Sequence, residues 1–558
     1  MTEKDLHLSP DFWITGEDDL PSSDFFQKYE RIENDCYIVW HSGVLAYYDG
    51  RPVDLFMIAE QAFRGNLEFS EILGWYKVVI YQKSSRCWLL FGDNCGSQCF
   101  FLDKENACFS DRLLTLRRKR GKKAEINMEA LADMICRGGL IGTETPVSGI
   151  VKTDSSEYYL FHNDHFDCLS KSLPRFSAET EKLNITDILK PVLEQIKEEK
   201  ICAVCTGGTD SRAVLAALYA LGCRPELILT AHKDNPDVES AKKVSEMLGL
   251  NLHLIDPTAK EQKWLAKGIW MTDGMYDAVL GYRHYLKAMW SKGRALSFEF
   301  GGVGGEFYKN NYYKPFRWML SREKDAAFFR KKLLSFREPA PWCSDTLRQA
   351  FMSGESTIEK VSEIGADEKS DLARGNSIGF ALLSSVAGSI TGGYAPLCCK
   401  VDPLMDRRLI GSASHDDVLS HALHLWQRRQ IAKDYAPLGE LVTDQGYSCS
   451  IKVFRLFQDQ CKEISFYTDR VINRIRKKLG MGFTSKVQRY WDRDYADARA
   501  TIEWEKTLTL CREKDIIRKS IDDSDIPLNM TGILLQIGLL FSEEINVWEI
   551  GKTRFHNE

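Results

Sequence analysis

The pattern of apolar and polar positions changes along this chain of 558 residues. Residues 36–110 contain short apolar and aromatic runs, such as "CYIVW" and "WYKVVIY", and the turn residues between them are typical of an antiparallel β region. Further strands are predicted in 156–168, and the spacing in 126–137 predicts a short amphipathic helix. Residues 177–199 change from polar to helical. We place a boundary there, which predicts two domains, 1–180 and 181–558.

Strands and helices are predicted to alternate after residue 200. "ICAVC" is a continuous apolar run, as expected of a strand buried on both faces. The next predicted elements are a helix ending at Gly222, a strand at 226–231, a helix at 237–249 whose first residue is its N-cap, and a strand at 250–255. This alternation predicts an α/β fold with a doubly wound parallel sheet, and about 320–550 is predicted to be mostly helical.

The stretch TGGTDS, at 206–211, joins the first of these strands to the first helix. Ligands of doubly wound sheets bind beyond the carboxyl ends of the strands, so this stretch is a candidate site. Its glycines let the backbone approach a ligand, and N–H groups at a helix N-terminus favour an anion. The alternative is a tight strand–helix turn with an N-cap. The predicted phosphate-binding residues are Thr206, Gly207, Gly208, Thr209, Asp210 and Ser211.

Asp210 makes this prediction more specific. A carboxylate beside a phosphate is unfavourable unless a cation bridges the two, so we expect Mg²⁺ to be shared between Asp210 and phosphate oxygens. The loop differs from a Walker A loop, which requires GxxxxGK[ST], because no lysine follows its glycines. We therefore favour a nucleotide site over a simple turn.

The ordered set Gly-Gly-x-Asp-Ser after a buried strand resembles the pyrophosphate loop of the ATP pyrophosphatases. Three other stretches are similar to the asparagine synthetase family: "DVESAKKVSEMLGLNLHLID", "SFEFGGVGGEFYKNNYY", which resembles its second glycine-rich loop, and "KVDPLMDRRLIGSA". Residues 74–116 are similar to the amidotransferase domain of that family. The resemblance runs from about residue 36 to at least residue 450.

This resemblance implies a fold and a set of ligands. It implies a class II glutamine amidotransferase-like, Ntn-hydrolase-like domain over 1–180, and an ATP pyrophosphatase domain with extra helices over 181–558. The implied cofactors are ATP and Mg²⁺. Asp210 and Glu306 are implied as the catalytic residues, and both would hold the metal ion.

The resemblance also implies further nucleotide contacts. Adenine is expected to face Val204 and the strand end near Thr230. Arg212 is expected to reach the phosphate, with a solvent-facing helical side chain as the alternative. Gly302 and Gly304 of the second loop complete the predicted nucleotide site.

The start of the chain departs from that family's pattern. Family members that use glutamine begin with a nucleophilic cysteine exposed by loss of Met1, whereas here Thr2 follows in a polar stretch. A threonine nucleophile and cleavage before Cys36 are alternatives to a disordered leader. The glutamine-pocket motifs RGPD and NGEIYN are absent. We therefore expect a degenerate N-terminal domain that does not hydrolyse glutamine.

The second half of the chain departs from the pattern as well. Val303 stands where the family carries a catalytic acid, and Glu306 stands where it has a metal-binding aspartate. "VTDQGYS" at 442–448 replaces the R-x-K-x-G-F stretch, so the lysine that steadies the transition state is missing from its expected place. Lys433 and Lys452 are candidates to replace it, with a plain surface position as the alternative for each.

Together these observations predict an ATP-dependent, AMP-forming carbon–nitrogen ligase. It would adenylate the carboxylate of a small molecule, sugar acid or peptide, release pyrophosphate and couple the carboxylate to an amine. Biosynthesis of a natural product, a peptide or a surface polysaccharide is the expected setting. The alternatives are a non-catalytic nucleotide-binding protein and a tRNA-modifying ATP pyrophosphatase.

Composition indicates which kinds of partner and which cellular compartment to expect. The net charge is −5, which does not favour a nucleic-acid partner. "GILLQIGLLF" at 532–541 is too short to span a bilayer and is predicted to be a buried helix. The 16 cysteines are unpatterned, and Cys202 and Cys205 are predicted to be core thiols. With no apolar leader at Met1, these features predict a cytoplasmic protein with reduced cysteines.

Overall fold

The structure is a computed structural model that describes most of the chain. The described residues are 13–14, 29–137, 139–140, 142–162, 165–176, 181–309, 339–353, 364–365, 367–368, 371–391, 397–414, 416, 420–421, 423–444, 446–459, 461–462, 472 and 488–542. The predicted leader with Thr2 and the end of the second glycine-rich loop, 310–313, lie outside these residues.

Antiparallel strands form the part of the chain before residue 180, as predicted. The strands are β1 Trp13–Ile14, β2 Glu30–Glu33, β3 Tyr37–Tyr47, β4 Ile72–Gln82, β5 Cys87–Gly92, β6 Phe101–Asp103, β7 Cys108–Ser110, β8 Ile150–Lys152, β9 Glu157–His162 and β10 His165–Ser170. They form a six-stranded sheet in the order β10-β9-β5-β4-β3-β2 and a four-stranded sheet in the order β1-β7-β6-β8. The helices of this region are α1 Leu55–Phe63, α2 Leu113–Arg120 and α3 Met128–Arg137.

A five-stranded parallel sheet forms the second part of the chain. Its strands are β11 Ile201–Val204, β12 Glu226–Thr230, β13 Leu252–Ile255, β14 Phe298–Phe300 and β15 Cys399–Val401. The helices here are α4 Ile185–Gln195, α5 Thr209–Ala220, α6 Pro236–Leu248, α7 Trp264–Thr272, α8 Ala278–Gly293, α9 Asp345–Ser353, α10 Asp371–Thr391, α11 Arg407–Ala413, α12 Leu425–Tyr435, α13 Pro437–Glu440, α14 Gln488–Arg499, α15 Ile502–Glu513 and α16 Thr531–Phe541. The predicted two-part α/β fold is confirmed.

The strand order of the parallel sheet creates a crevice beside β11. The order is β13-β12-β11-β14-β15, and every neighbouring pair is parallel. The chain therefore moves outward from β11 to β13 and then returns to the other side of β11 with β14. Such a reversal places a crevice at the carboxyl ends of the two strands where it occurs. The stretches that follow β11 and β14 are the two glycine-rich loops.

The boundaries of several predicted elements are corrected by the structure. The helix predicted at 237–249 begins at Pro236, and the side chain of Asn235 accepts the Asp237 N–H as its N-cap. Asp237 is therefore not the cap. Proline is favoured at the first position of a helix, so the helix starts at the proline that precedes Asp237. The strand predicted at 250–255 is Leu252–Ile255. In the region predicted to be mostly helical, β15 adds an edge strand to the parallel sheet.

Hydrophobic cores join the antiparallel and parallel parts. One core packs α5 and the parallel strands against Val44, Leu73 and Trp75 of the six-stranded sheet. A second core packs the four-stranded sheet and α3 against α7, α8 and α16. Because both cores cross residue 180, the division into domains 1–180 and 181–558 remains a prediction, and the two parts are tightly packed on each other.

Two smaller predictions from composition can be compared with the structure. All residues of α16 are buried, which confirms the buried helix predicted at 532–541. Cys202 and Cys205 are free, fully buried thiols, as predicted. In the described ranges, no helix is both long and apolar enough to cross a membrane.

Candidate functional site

The first glycine-rich loop begins where the central strand of the parallel sheet ends. β11 ends at Val204, and α5 begins at Thr209, with Gly208 in an extended conformation as its N-cap residue. The hydroxyls of Thr206 and Ser211 lie 2.8 Å apart, and Ser211 Oγ also accepts the Thr206 N–H at 3.3 Å. These bonds close the loop across the first turn of the helix.

The two glycines of this loop have different environments. The Gly207 N–H donates to Asp237 Oδ1 at 2.9 Å, and a Cβ on Gly207 would lie 2.7 Å from both that oxygen and Asp444 Cβ. Gly207 is therefore needed for packing within the protein. Among the residues that the structure describes, a Cβ on Gly208 would meet only Thr206 Oγ1, at 3.6 Å, so open space lies beside Gly208 there. Gly208 is the glycine that leaves room for a ligand.

Arg212 supports the loop from inside the protein. Its side chain is 0% exposed, so the solvent-facing alternative is wrong. The guanidinium donates to the backbone oxygens of Leu441 at 2.6 Å, Leu438 at 3.3 Å and Gly207 at 3.4 Å. Because Nη1 and Nη2 donate to these carbonyls, we assign Arg212 to holding the loop, while its predicted phosphate contact stays a prediction.

The second glycine-rich loop packs directly on the first turn of α5. A Cβ on Gly302 would lie 2.8 Å from the Ser211 nitrogen, and a Cβ on Gly305 would lie 2.1 Å from Asp210 Cγ. Gly304 has a φ of +94° and a hypothetical Cβ 2.6 Å from the Leu404 oxygen. The glycines of this loop therefore bring its backbone into close contact with Asp210.

Asp210 lies in a cluster of polar side chains from three separate segments. Lys309, just after the second loop, places Nζ 2.6 Å from Asp210 Oδ1, and Gln427 on α12 donates Nε2–H to the same oxygen at 2.5 Å. The Asp210 side chain is 24% exposed, so it is open to a ligand. Burial lowers the pKa of Lys309, but the charge of Asp210 and its hydrogen bond to Lys309, with smaller contributions from other groups, outweigh burial and raise the pKa, so Lys309 stays protonated at neutral pH.

Glu306 completes the pair of carboxylates predicted to hold a metal ion. Burial raises the pKa of its carboxyl group, and the charge of Asp210 raises it further. Glu306 Oε2 is buried and has no hydrogen-bond partner within the part of the chain that the structure describes. An unpartnered carboxylate oxygen beside a second carboxylate fits Mg²⁺, which binds proteins through one or two carboxylates together with phosphate oxygens.

The remaining predicted residues lie at the same edge of the sheet or on the surface. Val204 and Thr230 are the last residues of neighbouring strands β11 and β12. The Val303 backbone N–H donates to Asp402 Oδ1 at 3.2 Å. Lys433 is exposed, and Lys452 pairs with Glu440 and is 71% exposed, which confirms the surface alternative for both lysines.

Four residues near the loop were missed by the sequence interpretation. Lys309 lies within the stretch that was quoted as the second loop, so its charge beside the glycines was a usable signal. Asp237 and Tyr447 lie in stretches that the sequence analysis quoted, but nothing there marks them as loop contacts, and no local pattern marks Gln427. The segment 442–448 does lie beside the loop, since the Asp444 N–H donates to the Gly207 oxygen at 3.4 Å and Tyr447 hydrogen-bonds with Thr209.

Comparisons with known proteins add little to this geometry. No protein-family model matches the chain, and no curated protein sequence matches it. Among solved structures, the NMN synthetase from Francisella tularensis is similar to 33% of this chain and 83% of that chain, with 16% identity and a TM-score of 0.17. A TM-score this low carries no argument, so the fold assignment depends on the sheet topology described above.

Proposed function

We propose that this protein is an ATP-dependent, AMP-forming carbon–nitrogen ligase. In this proposal, the loop 206–211 binds the triphosphate of ATP. The substrate is a carboxylate of a small molecule, a sugar acid or a peptide. The carboxylate attacks the α-phosphate to give an acyl-adenylate and pyrophosphate, and an amine then attacks the acyl carbon to give an amide and AMP.

One observation carries the proposal. The crevice between β11 and β14 holds an open glycine position at Gly208, the partly exposed carboxylate of Asp210, and the unpartnered oxygen of Glu306. A helix N-terminus, an open backbone and two carboxylates together suit a polyphosphate that binds with a divalent cation. Neither the glycines nor the carboxylates would support this conclusion alone.

Each residue has a specific task in the proposed reaction. Asp210 and Glu306 would hold Mg²⁺, which neutralises charge on the leaving pyrophosphate. Lys309 carries a positive charge next to Asp210 and is placed to attract the phosphate oxygens as charge develops on them. Gln427 and Gly305 would fix the position of the Asp210 carboxylate, because Gln427 donates a hydrogen bond to it and Gly305 leaves no room for a Cβ beside it.

Two measurements test the proposal with the full chain. The first is binding of ATP with Mg²⁺, compared between the wild-type protein and Asp210→Asn. The second is exchange of labelled pyrophosphate into ATP across a panel of carboxylates. We expect Asp210→Asn to remove Mg²⁺-dependent exchange. Exchange that persists undiminished in Asp210→Asn would contradict the assignment of the loop.

A non-catalytic nucleotide-binding protein is the second candidate. It is favoured by Val303 at the position of the family's catalytic acid, and by the lysine and the glutamine that already bond to Asp210. Tight binding of ATP without exchange for any carboxylate of the panel would favour this candidate. Exchange with even one carboxylate would favour the ligase.

A further inference from the structure

A second cavity lies between the antiparallel and parallel parts of the protein, apart from the glycine-rich loops. Its volume is about 460 Å³, within the range of small-molecule sites, and its walls include 152–156, 171–176, α10 and Arg407. None of the residues of 206–211 or 301–309 lines it. At one edge of the cavity Gly96 lies close to α10, because a Cβ on Gly96 would be 2.9 Å from Ser384 Cβ.

Three basic side chains reach this cavity without a carboxylate partner. Lys152 Nζ donates to Ser385 Oγ at 3.0 Å, Lys171 Nζ donates to the Gly92 oxygen at 2.7 Å, and Arg407 Nε donates to the Asn94 oxygen at 2.9 Å. In the described part of the chain, no acidic oxygen lies within 4 Å of their nitrogens. Burial lowers the pKa of all three groups, and the nearby carboxylates Asp93 and Asp154 only partly offset this effect.

The acidic residues of the cavity are mostly committed to other bonds. Asp154 accepts the backbone and hydroxyl hydrogens of Ser156. Glu368 Oε1 accepts the Phe176 N–H at 3.0 Å and the Ser377 hydroxyl at 3.3 Å. Glu368 Oε2, however, is buried and has no partner among the residues described. This oxygen can accept a hydrogen bond from a hydroxyl group of a ligand.

Hydroxyl groups and aromatic rings form the rest of the lining. Ser155 and Ser384 add polar atoms, and the Ser155 hydroxyl accepts a hydrogen bond from Arg407 Nη2 at 3.3 Å. Phe176 and Phe380 lie with ring centroids 5.2 Å apart, and the Arg407 guanidinium stacks on both. A rigid arginine beside two rings and several hydroxyls suits a ligand that carries both an anionic group and hydroxyl groups.

We infer that this cavity binds a small hydroxylated organic anion, with its carboxylate or phosphate held by Lys152, Lys171 and Arg407 and one of its hydroxyls held by Glu368. This site is independent of the proposed ligase reaction. Arg407 directly follows the turn 402–406, and Asp402 of that turn accepts a hydrogen bond from the Val303 N–H of the second loop.

Calorimetric titration of the full-length protein tests this inference. The probes are D-glucuronate, which carries a carboxylate, D-glucose 6-phosphate, which carries a phosphate, and D-glucose as the uncharged control. We expect at least one anion to bind and glucose not to bind. Lys152→Met and Arg407→Gln should each weaken binding about tenfold or more, as loss of a charged hydrogen bond does. Lys433→Met removes an exposed charge on α12 and should have no effect.

The results divide clearly between support and contradiction. Preference for glucuronate assigns a carboxylate ligand, and preference for glucose 6-phosphate assigns a phosphate ligand. No heat with either anion at millimolar concentration, equal binding of glucose, or unchanged binding in Lys152→Met would each overturn the inference. Because Arg407 also packs on two rings, thermal unfolding is measured in parallel, and Lys152→Met carries the test if Arg407→Gln fails to fold.

Discussion

Gly208→Ala is the substitution that separates a nucleotide cradle from a simple strand–helix turn. Within the described part of the chain, the added methyl group would meet only Thr206 Oγ1, at 3.6 Å, and the backbone angles of Gly208, φ −80° and ψ 175°, are open to alanine. Alanine is therefore compatible with the fold itself. The methyl group would, however, occupy the space beside the backbone in which we propose that a phosphate lies.

Gly208→Ala has two effects on the free energy of unfolding, which are small and opposite in sign. Loss of a glycine's freedom in the unfolded chain stabilises a protein by about 0.4–1 kcal/mol. Alanine is a poorer N-cap residue than glycine, which costs a few tenths to about 1 kcal/mol. We therefore expect the free energy of unfolding to change by less than about 1 kcal/mol. Affinity for ATP with Mg²⁺ should fall at least about tenfold, which corresponds to about 1.4 kcal/mol.

Calorimetric titration with ATP and Mg²⁺ measures the affinity of Gly208→Ala for the nucleotide, and urea unfolding measures its free energy of unfolding. Gly293→Ala is the matched control, because Gly293 is exposed near the end of α8 and a Cβ there would have no described neighbour within 4 Å. If Gly208→Ala folds normally and binds ATP as tightly as the wild type, the backbone at Gly208 does not contact the nucleotide. The proposed cradle would then be wrong.

Three further variants test the residues around the loop. Lys309→Met removes the charge beside Asp210, so the rate of pyrophosphate exchange should fall about tenfold or more. Lys433→Met is the control and should leave this rate unchanged. Equal rates for the two variants would contradict a role for Lys309. Arg212→Met leaves buried carbonyls without hydrogen-bond donors, which costs roughly 1–3 kcal/mol of stability for each carbonyl. The urea concentration at the midpoint of unfolding should therefore fall. An unchanged midpoint would show that Arg212 does not hold the loop. Burial and, to a smaller extent, Asp210 raise the pKa of Glu306 above its ordinary 4.5, so the free energy of unfolding should decrease as pH rises from 4.5 through the raised pKa. Glu306→Gln should remove that decrease. Urea unfolding curves at several pH values measure the free energy of unfolding of both proteins.

The general architecture follows from local patterns in the sequence. "ICAVC" is a short apolar run that fits a strand buried on both faces, and β11 is indeed central in the parallel sheet. The alternation of strands and helices then requires a parallel sheet, because the crossovers are helical. The edge strand β15 was missed since it has only three residues, Cys399–Val401, too few to show a period.

The loop itself illustrates what a sequence cannot show. Gly207 and Gly208 are adjacent and identical, yet one packs against Asp237 and Asp444 while the other faces open space. The difference is created by side chains that the fold brings in from distant positions. The buried position of Arg212 was missed for the same reason, since its acceptors at Leu438 and Leu441 become neighbours only after folding.

The bonds of Arg212 mean that the glycine-rich loop is not a portable unit. A fragment that stopped at residue 436 would retain every strand of the parallel sheet and yet lose the carbonyls of Leu438 and Leu441 that orient this arginine. Grafting 206–211 into another protein would therefore require the segment 437–449 to be transferred with it, so that the two stretches act as a matched pair.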